Sequence, residues 1–117
     1  MKYIYNKLVR DKIPQEINGI EGKKANYKIL NEEEYLQELD KKLFEEAHEF
    51  VEEHSVEELG DLMEVIYAIM EAKNISMKEV ESARVIKKNK KGGFKEKIYL
   101  IDVEQEQIDE REEKELH

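Results

Sequence analysis

The stretch EEAHEFVEEHSVEELGD, Glu45 to Asp61, decides the fold of this 117-residue chain. It has eight acidic side chains in seventeen positions and contains no lysine or arginine. Both halves have helical spacing, and Ser55-Val56-Glu57-Glu58 is a capping-box pattern that begins a new helix. A chain that turns at Ser55 forms an antiparallel helical hairpin. Its concentrated like charge indicates either a solvated surface or a cation held among the carboxylates.

Apolar periodicity extends the hairpin in both directions. Asn31 is a predicted N-cap, and the helix that follows it runs to about Glu53. Its apolar residues recur every three or four positions and share one face: Leu36, Leu39, Leu43, Ala47 and Phe50. The second helix, from Val56 to about Lys73, is apolar on most of its circumference. This pattern predicts burial on more than one side, most simply under a second subunit.

Shorter signals flank the hairpin. Pro14 suits the first turn of a short helix that Gly19 ends. Ser76 begins another capping box, and its helix should run to about Lys88 before the break at Gly92-Gly93.

The predicted fold class is therefore all-α, with a helical-hairpin core and minor short β-strands. The strand candidates are residues 27–30 and 98–101, which are rich in β-favouring side chains. We expect one domain over residues 1–103 and a charged C-terminal tail over residues 104–117.

Composition narrows the classes of function. A net charge of −9 argues against nucleic acid or an anionic membrane as the main partner and fits divalent cations. The absence of cysteine excludes disulfides and thiolate zinc sites and fits a cytoplasmic location. The N-terminus lacks the apolar run of a signal peptide, and the longest apolar stretch, residues 65–70, is too short for a membrane span.

Two pairs of carboxylates have the same spacing on the two helices. Glu46 and Glu49 are three residues apart on the first helix, as are Glu58 and Asp61 on the second, so the members of each pair are neighbours. Packing of the hairpin through its apolar faces brings the pairs towards each other. Converging carboxylates repel unless a cation neutralises them, and oxygen-only ligation is typical of Mg²⁺.

A purely structural interpretation explains part of this pattern. Glu58 is the third residue of a capping box, and acidic residues in a first helical turn are favoured by the helix dipole. Asp61 fits this interpretation least, because it lies on a small apolar face where we expect partial burial. The remaining acidic residues of the stretch are interpreted as solvated: Glu45, Glu52, Glu53 and Glu57. His48 and His54 are interpreted as surface residues.

The two pairs resemble the signature of a known superfamily. Glu46-Ala47-His48-Glu49 followed by Glu58-Leu59-Gly60-Asp61 is similar to the ExxE…ExxD motif of the MazG-like, all-α nucleoside triphosphate pyrophosphohydrolases. The opening YNKLVRDKIP, residues 5–14, and KGGF, residues 91–94, resemble the phosphoribosyl-ATP pyrophosphohydrolase-like branch. The resemblance covers residues 2–103. The eight residues between Glu49 and Glu58 are fewer than is usual in the superfamily, which predicts a tight hairpin.

This resemblance implies an enzymatic activity and its site. The activity is Mg²⁺-dependent cleavage between the α- and β-phosphates of a nucleotide, with Mn²⁺ as a possible substitute. The implied metal ligands are Glu46, Glu49, Glu58 and Asp61. Glu46 and Glu49 are the catalytic candidates, and Glu49 is the one favoured to orient or deprotonate the attacking water.

Cationic side chains should complete a phosphate site. The candidates for substrate binding are Lys7, Arg10, Lys12, Lys88 and Lys91. Arg10 is favoured because a guanidinium grips phosphate with two hydrogen bonds. An alternative interpretation is that these cations pair with the acidic side chains of the domain and that Gly92 ends a helix. Aromatic candidates for base stacking, each also explained by packing, are Tyr3, Tyr5, Phe44 and Phe94.

Three functions are considered, the first two implied by the resemblance and the third by the residue patterns alone. The first is a nucleoside triphosphate pyrophosphohydrolase, acting in the clearance of non-standard or excess nucleotides. The second is a phosphoribosyl-ATP pyrophosphohydrolase of histidine synthesis. The third is a non-catalytic acidic helical dimer that acts as a regulator or binding partner. A homodimer or homotetramer is expected, with a nucleotide as the ligand of either enzyme.

Overall fold

The structure, a computed structural model, describes residues 1–106. Its helices in chain order are α1 (Ile13–Asn18), α2 (Glu32–Glu53), α3 (Val56–Ala72) and α4 (Met77–Lys91). The chain divides into two compact units, Met1–Ser82 and Ala83–His117. Within the described part, no helix has the length and hydropathy needed to cross a membrane.

Helix α2 begins and ends where its sequence signals predict. The Asn31 side chain accepts a hydrogen bond from the Glu34 backbone N–H at 2.8 Å, and the Glu34 carboxylate accepts one from the Asn31 N–H at 3.3 Å. This closed capping box satisfies two backbone donors of the first turn. The acidic residues of that turn also lie at the positive end of the helix dipole.

A two-residue turn joins α2 to α3 and confirms the tight hairpin. His54 ends α2 in the left-handed conformation, with φ of 52°, and its N–H bonds to the Phe50 carbonyl. The Ser55 hydroxyl then accepts a hydrogen bond from the Glu58 N–H at 3.1 Å and caps α3. The turn therefore begins the second helix close to the end of the first.

The core lies between α2 and α3, which pack against each other. Its most buried side chains are Leu39 on α2 and Val65 and Met70 on α3. The predicted apolar face of α2 is confirmed, since its members are buried or half-buried. Val65 and Met70 lie at different angles around α3, so its buried part is wider than a single row of side chains. Burial of the rest of α3 under a second subunit stays a prediction. In a core this small, the burial of each apolar side chain counts heavily towards stability.

The residues around α1 are positioned by local hydrogen bonds. Pro14 lies in the first turn of α1 and Gly19 caps its end, as predicted. The Asn18 side chain accepts a hydrogen bond from the Ala25 N–H at 2.8 Å. This bond closes the loop that follows the helix.

The prediction of minor β-strands is wrong for the described residues. Neither residues 27–30 nor residues 98–101 form a strand, and no strand occurs within 1–106. A strand needs a ladder of hydrogen bonds to a partner, and β-favouring side chains alone do not supply one. Tyr27 and Ile29 are accordingly exposed, as are all four residues of the second segment.

Helix α4 is three residues longer than predicted and ends at Lys91. Its last turn therefore contains Lys88, Lys90 and Lys91, at the end where the helix dipole favours cations. Gly92 follows with φ of 86°, and its N–H bonds to the Lys88 carbonyl at 2.8 Å. Gly92 thus ends the helix in a conformation that side chains with a Cβ rarely adopt. Residues 98–106 are exposed. The rest of the predicted tail, 107–117, lies outside the described residues.

Candidate functional site

Three carboxylates from the two helices of the hairpin converge. Glu46 on α2 and Glu58 and Asp61 on α3 each place a carboxylate oxygen within 4.8 Å of the other two. All three residues are half-buried. We call this cluster the acidic triad.

The spacing of these oxygens fits a small divalent cation. Mg²⁺ binds oxygen at roughly 2.0–2.1 Å, so two ligands on opposite sides of the ion are about 4.2 Å apart. The triad oxygens lie within 4.8 Å of one another, which is close to this separation. Three ligands also leave room for waters or phosphate oxygens, which Mg²⁺ commonly retains in its shell.

Glu58 is the triad member with the least local compensation. The other two capping boxes are closed in both directions, at Asn31 with Glu34 and at Ser76 with Glu79. The Glu58 backbone N–H bonds to Ser55, but within residues 1–106 its carboxylate takes part in no hydrogen bond or ion pair. Capping therefore explains the position of Glu58 but leaves its carboxylate available.

The surroundings of Glu58 disfavour its charged form. Desolvation raises the pKa of this carboxyl above its usual value, and the neighbouring carboxylates of Asp61, Glu49, Glu46 and Glu53 raise it further, in that order. A group held near like charges without a cationic partner is typical of a site that binds a cation.

Asp61 is held by a residue far away in the sequence. The Arg10 Nη2 donates a hydrogen bond to Asp61 Oδ1 at 2.8 Å. The Asp61 side chain is 35% exposed, which confirms the predicted partial burial. This contact places the segment before α1 against α3.

Lys42 is a triad neighbour that the sequence analysis missed. Its ammonium lies 3.5 Å from Glu46 Oε1 and 3.4 Å from Glu45 Oε1. The side chains of Lys42 and Glu46 are only 16% and 14% exposed, so this ion pair is well shielded from solvent. The signal was present in the sequence, because residues four apart on a helix are neighbours.

Glu45 is not the solvated residue that the sequence analysis predicted. It is half-buried and accepts hydrogen bonds from both Lys7 and Lys42, at 3.1 and 3.4 Å. Burial works to raise the pKa of the Glu45 carboxyl, but its bonds to Lys7 and the charges of both lysines lower it overall. The helical pattern could not reveal this, because Lys7 comes from another segment.

Glu49 lies one turn beyond Glu46 and does not join the triad. It is exposed, and within residues 1–106 its carboxylate has no hydrogen bond or ion pair. It is nevertheless near enough for its charge to raise the pKa of Glu58. Its ligand or catalytic role stays a prediction.

The predicted phosphate-binding cations fall into three groups. Lys7 and Arg10 both contact the hairpin, through Glu45 and Asp61. Lys12 precedes α1, and its side chain makes no ion pair within residues 1–106. Lys88 and Lys91 lie in the last turn of α4.

The other singled-out side chains lie on the surface. The aromatic candidates are all exposed: Tyr3, Tyr5, Phe44 and Phe94. His48 is exposed and lies 3.5 Å from Glu52, and the His54 ring stacks edge-on against Phe50.

The surface beside Asp61 is open. A Cβ placed on Gly60 meets no atom of residues 1–106 within 4 Å, so packing against this part of the chain does not require glycine there. Glycine in the middle of a helix costs roughly 0.5–1 kcal/mol relative to alanine. The open surface leaves a ligand or a second subunit room to approach α3 next to the triad.

The chain was compared with family models, with curated proteins and with solved structures, and none of the three comparisons gives a match.

Proposed function

We propose that this chain is a Mg²⁺-dependent nucleotide pyrophosphohydrolase of the MazG-like type. It adds water across the α–β phosphoanhydride of a nucleoside triphosphate and releases a monophosphate and pyrophosphate. The observation that carries the proposal is the convergence of Glu46, Glu58 and Asp61 at oxygen separations suited to a small cation. The resemblance of the ExxE and ExxD motifs to those of the MazG-like enzymes is the reason for proposing this particular reaction.

The charges around the triad support a cation of higher charge than a side chain can supply. Lys42 contacts Glu46 and Arg10 contacts Asp61, whereas the Glu58 carboxylate has no partner within residues 1–106. A net negative charge therefore remains in a half-buried place. Repulsion of this kind is relieved when a divalent cation binds.

The side chains have separate roles in the proposed reaction. Glu46, Glu58 and Asp61 hold the cation, and Lys42 holds one oxygen of Glu46. When bound, the cation polarises phosphate oxygens and lowers the pKa of a bound water. Glu49, exposed beside the triad, would orient or deprotonate the attacking water. Lys7 and Arg10 bring positive charge from the N-terminal segment towards the transferred phosphates.

The test is a substrate panel with matched variants. Nucleoside triphosphates and phosphoribosyl-ATP are incubated with Mg²⁺, and pyrophosphate and orthophosphate are measured separately. We expect pyrophosphate from the parent and a loss of about 100-fold or more in Asp61→Asn and Glu49→Gln, since even the outer partners of metal ligands contribute 10–100-fold.

Glu33→Gln is the control, because Glu33 is an exposed carboxylate in the first turn of α2, far from Glu46 along the helix. Orthophosphate as the sole product would mean that another bond is cut. Turnover by Asp61→Asn equal to that of the parent would refute its assignment. A strong preference for phosphoribosyl-ATP would instead favour the enzyme of histidine synthesis.

We also propose that the protein is a homo-oligomer associated through α3. Four apolar side chains on one side of this helix are exposed: Val56, Leu59, Met63 and Tyr67. Their spacing of three or four residues forms a continuous stripe, the α3 stripe. A contiguous apolar surface of this kind marks an association site. A non-catalytic helical dimer would use the same stripe, so association alone does not separate the two functions.

A further inference from the structure

We propose that Arg10 is an exchangeable counter-ion of the acidic triad, which it leaves when a divalent cation binds and so becomes available to an anionic ligand. This inference rests on the proposed function and concerns the order in which the site is filled. The observation behind it is that Asp61, a triad member, is also the acceptor of the Arg10 hydrogen bond at 2.8 Å.

The Arg10–Asp61 contact is of a kind that exchanges readily. The Arg10 side chain is 58% exposed and contributes one hydrogen bond, from Nη2, to one oxygen of Asp61. Exposed ion pairs contribute little free energy, because water screens them and a long side chain must be immobilised. A divalent cation bound by three carboxylates attracts the same Asp61 oxygen more strongly than Arg10 does.

Lys42 provides the contrast within the same site. Its pair with Glu46 is shielded from solvent on both sides, and it lies on the same helix as its partner. Lys42 is also paired with Glu45 at 3.4 Å, and because Glu45 is not a triad member this second contact holds the ammonium in place. Of the two cations at the triad, Arg10 is therefore the one that moves.

A second contact keeps Arg10 near the site after it leaves Asp61. Lys7, three residues earlier, is held by Glu45 at 3.1 Å, and Glu45 is not a triad member. The segment stays attached to α2 through Lys7 while the Arg10 guanidinium is released. Its five N–H donors can then bind a phosphate group that approaches the filled triad.

The first measurement is calorimetric titration with Mn²⁺ alone, without nucleotide. We expect Arg10→Gln to bind Mn²⁺ about two- to five-fold more tightly than the parent, because the competing ion pair is removed. Lys41→Gln is the control, since it removes one positive charge from an exposed pair with Glu38 on the same hairpin. It should leave Mn²⁺ affinity within error of the parent.

The second measurement follows Arg10 directly. The ¹⁵N-labelled side-chain Nε–H signal of Arg10 is recorded with and without Mg²⁺, and in the Asp61→Asn protein. We expect Mg²⁺ to move the parent signal to the position it has in Asp61→Asn, where the ion pair is already lost.

The outcomes separate the two proposals. Absence of Mn²⁺ binding in the parent and in Arg10→Gln would overturn the proposed function and this inference with it. Mn²⁺ binding of equal strength in both proteins, with an Arg10 signal that Mg²⁺ leaves unchanged, would overturn the inference and leave the metal site standing.

Discussion

At the scale of single residues, Glu58 connects the proposed chemistry to stability. Desolvation and the charges of Asp61 and other neighbours raise the pKa of its carboxyl above the usual 4.5. The folded protein therefore holds this proton more tightly than the unfolded chain does. As pH rises from below 4.5 through the raised pKa, Glu58 loses its proton and the free energy of unfolding falls. This destabilisation is complete at neutral pH.

We therefore expect Glu58→Gln to unfold at a higher temperature than the parent at pH 7 when divalent cations are removed with EDTA. The neutral amide removes the repulsion that the carboxylate suffers from its neighbours. The advantage should disappear below pH 4, where the parent carboxyl is protonated as well. Thermal melts across this pH range provide the measurement.

Glu33→Gln, in the first turn of α2, is the control and should not reproduce the stabilisation. A Glu58→Gln protein that melts at or below the parent temperature at pH 7 would contradict this interpretation of the triad.

Single residues also mark where prediction from sequence reaches its limit. The partial burial of Asp61 followed from its place on an apolar face of a helix. The contact with Arg10 did not, because the two residues are 51 positions apart and no periodicity relates them. Lys42 could have been found, since its four-residue spacing from Glu46 is visible in the chain.

At the scale of elements, the long helices were predictable because their ends have local causes. Asn31 and Ser55 accept hydrogen bonds from backbone N–H groups within three residues, so each cap can be recognised in a short window. The strands were not predictable in this way, because a ladder depends on a distant partner. The segments 27–30 and 98–101 have the composition of strands but not their pairing.

Helix α3 presents an apolar stripe that α2 does not cover. Its members range from 38% exposed at Met63 to 90% at Val56. Exposure of such side chains to water is unfavourable by roughly 25 cal/mol for each Å² that a partner would otherwise bury. A second copy of the chain is the partner that we propose.

The expected result is that light scattering coupled to gel filtration gives at least twice the chain mass of 14.0 kDa. Met63→Glu should shift the protein towards monomer, because it places a charge within the α3 stripe. Met77→Glu is a matched control of the same residue type and similar exposure on α4. A parent that is monomeric at high concentration, or equal dissociation in both variants, would refute association through the stripe.

At the scale of the whole chain, repulsion between acidic side chains affects both the overall stability and the hairpin. A net charge of −9 on a chain with a small core is destabilising unless charges are paired or neutralised. Lys7, Arg10 and Lys42 neutralise part of the hairpin from inside the chain. Periodicity was enough to predict the helices of the described residues and the packing of α2 against α3. The ion pairs that Lys7 and Arg10 make with the hairpin could be seen only in the structure.

The central claim is that Glu46, Glu58 and Asp61 bind a divalent cation together. The most direct measurement is an anomalous difference map from crystals grown with abundant Mn²⁺ and a non-hydrolysable nucleotide analogue. We predict a manganese peak within coordination distance of all three carboxylates. Well-ordered carboxylates that point apart, with no anomalous peak between them, would contradict the claim.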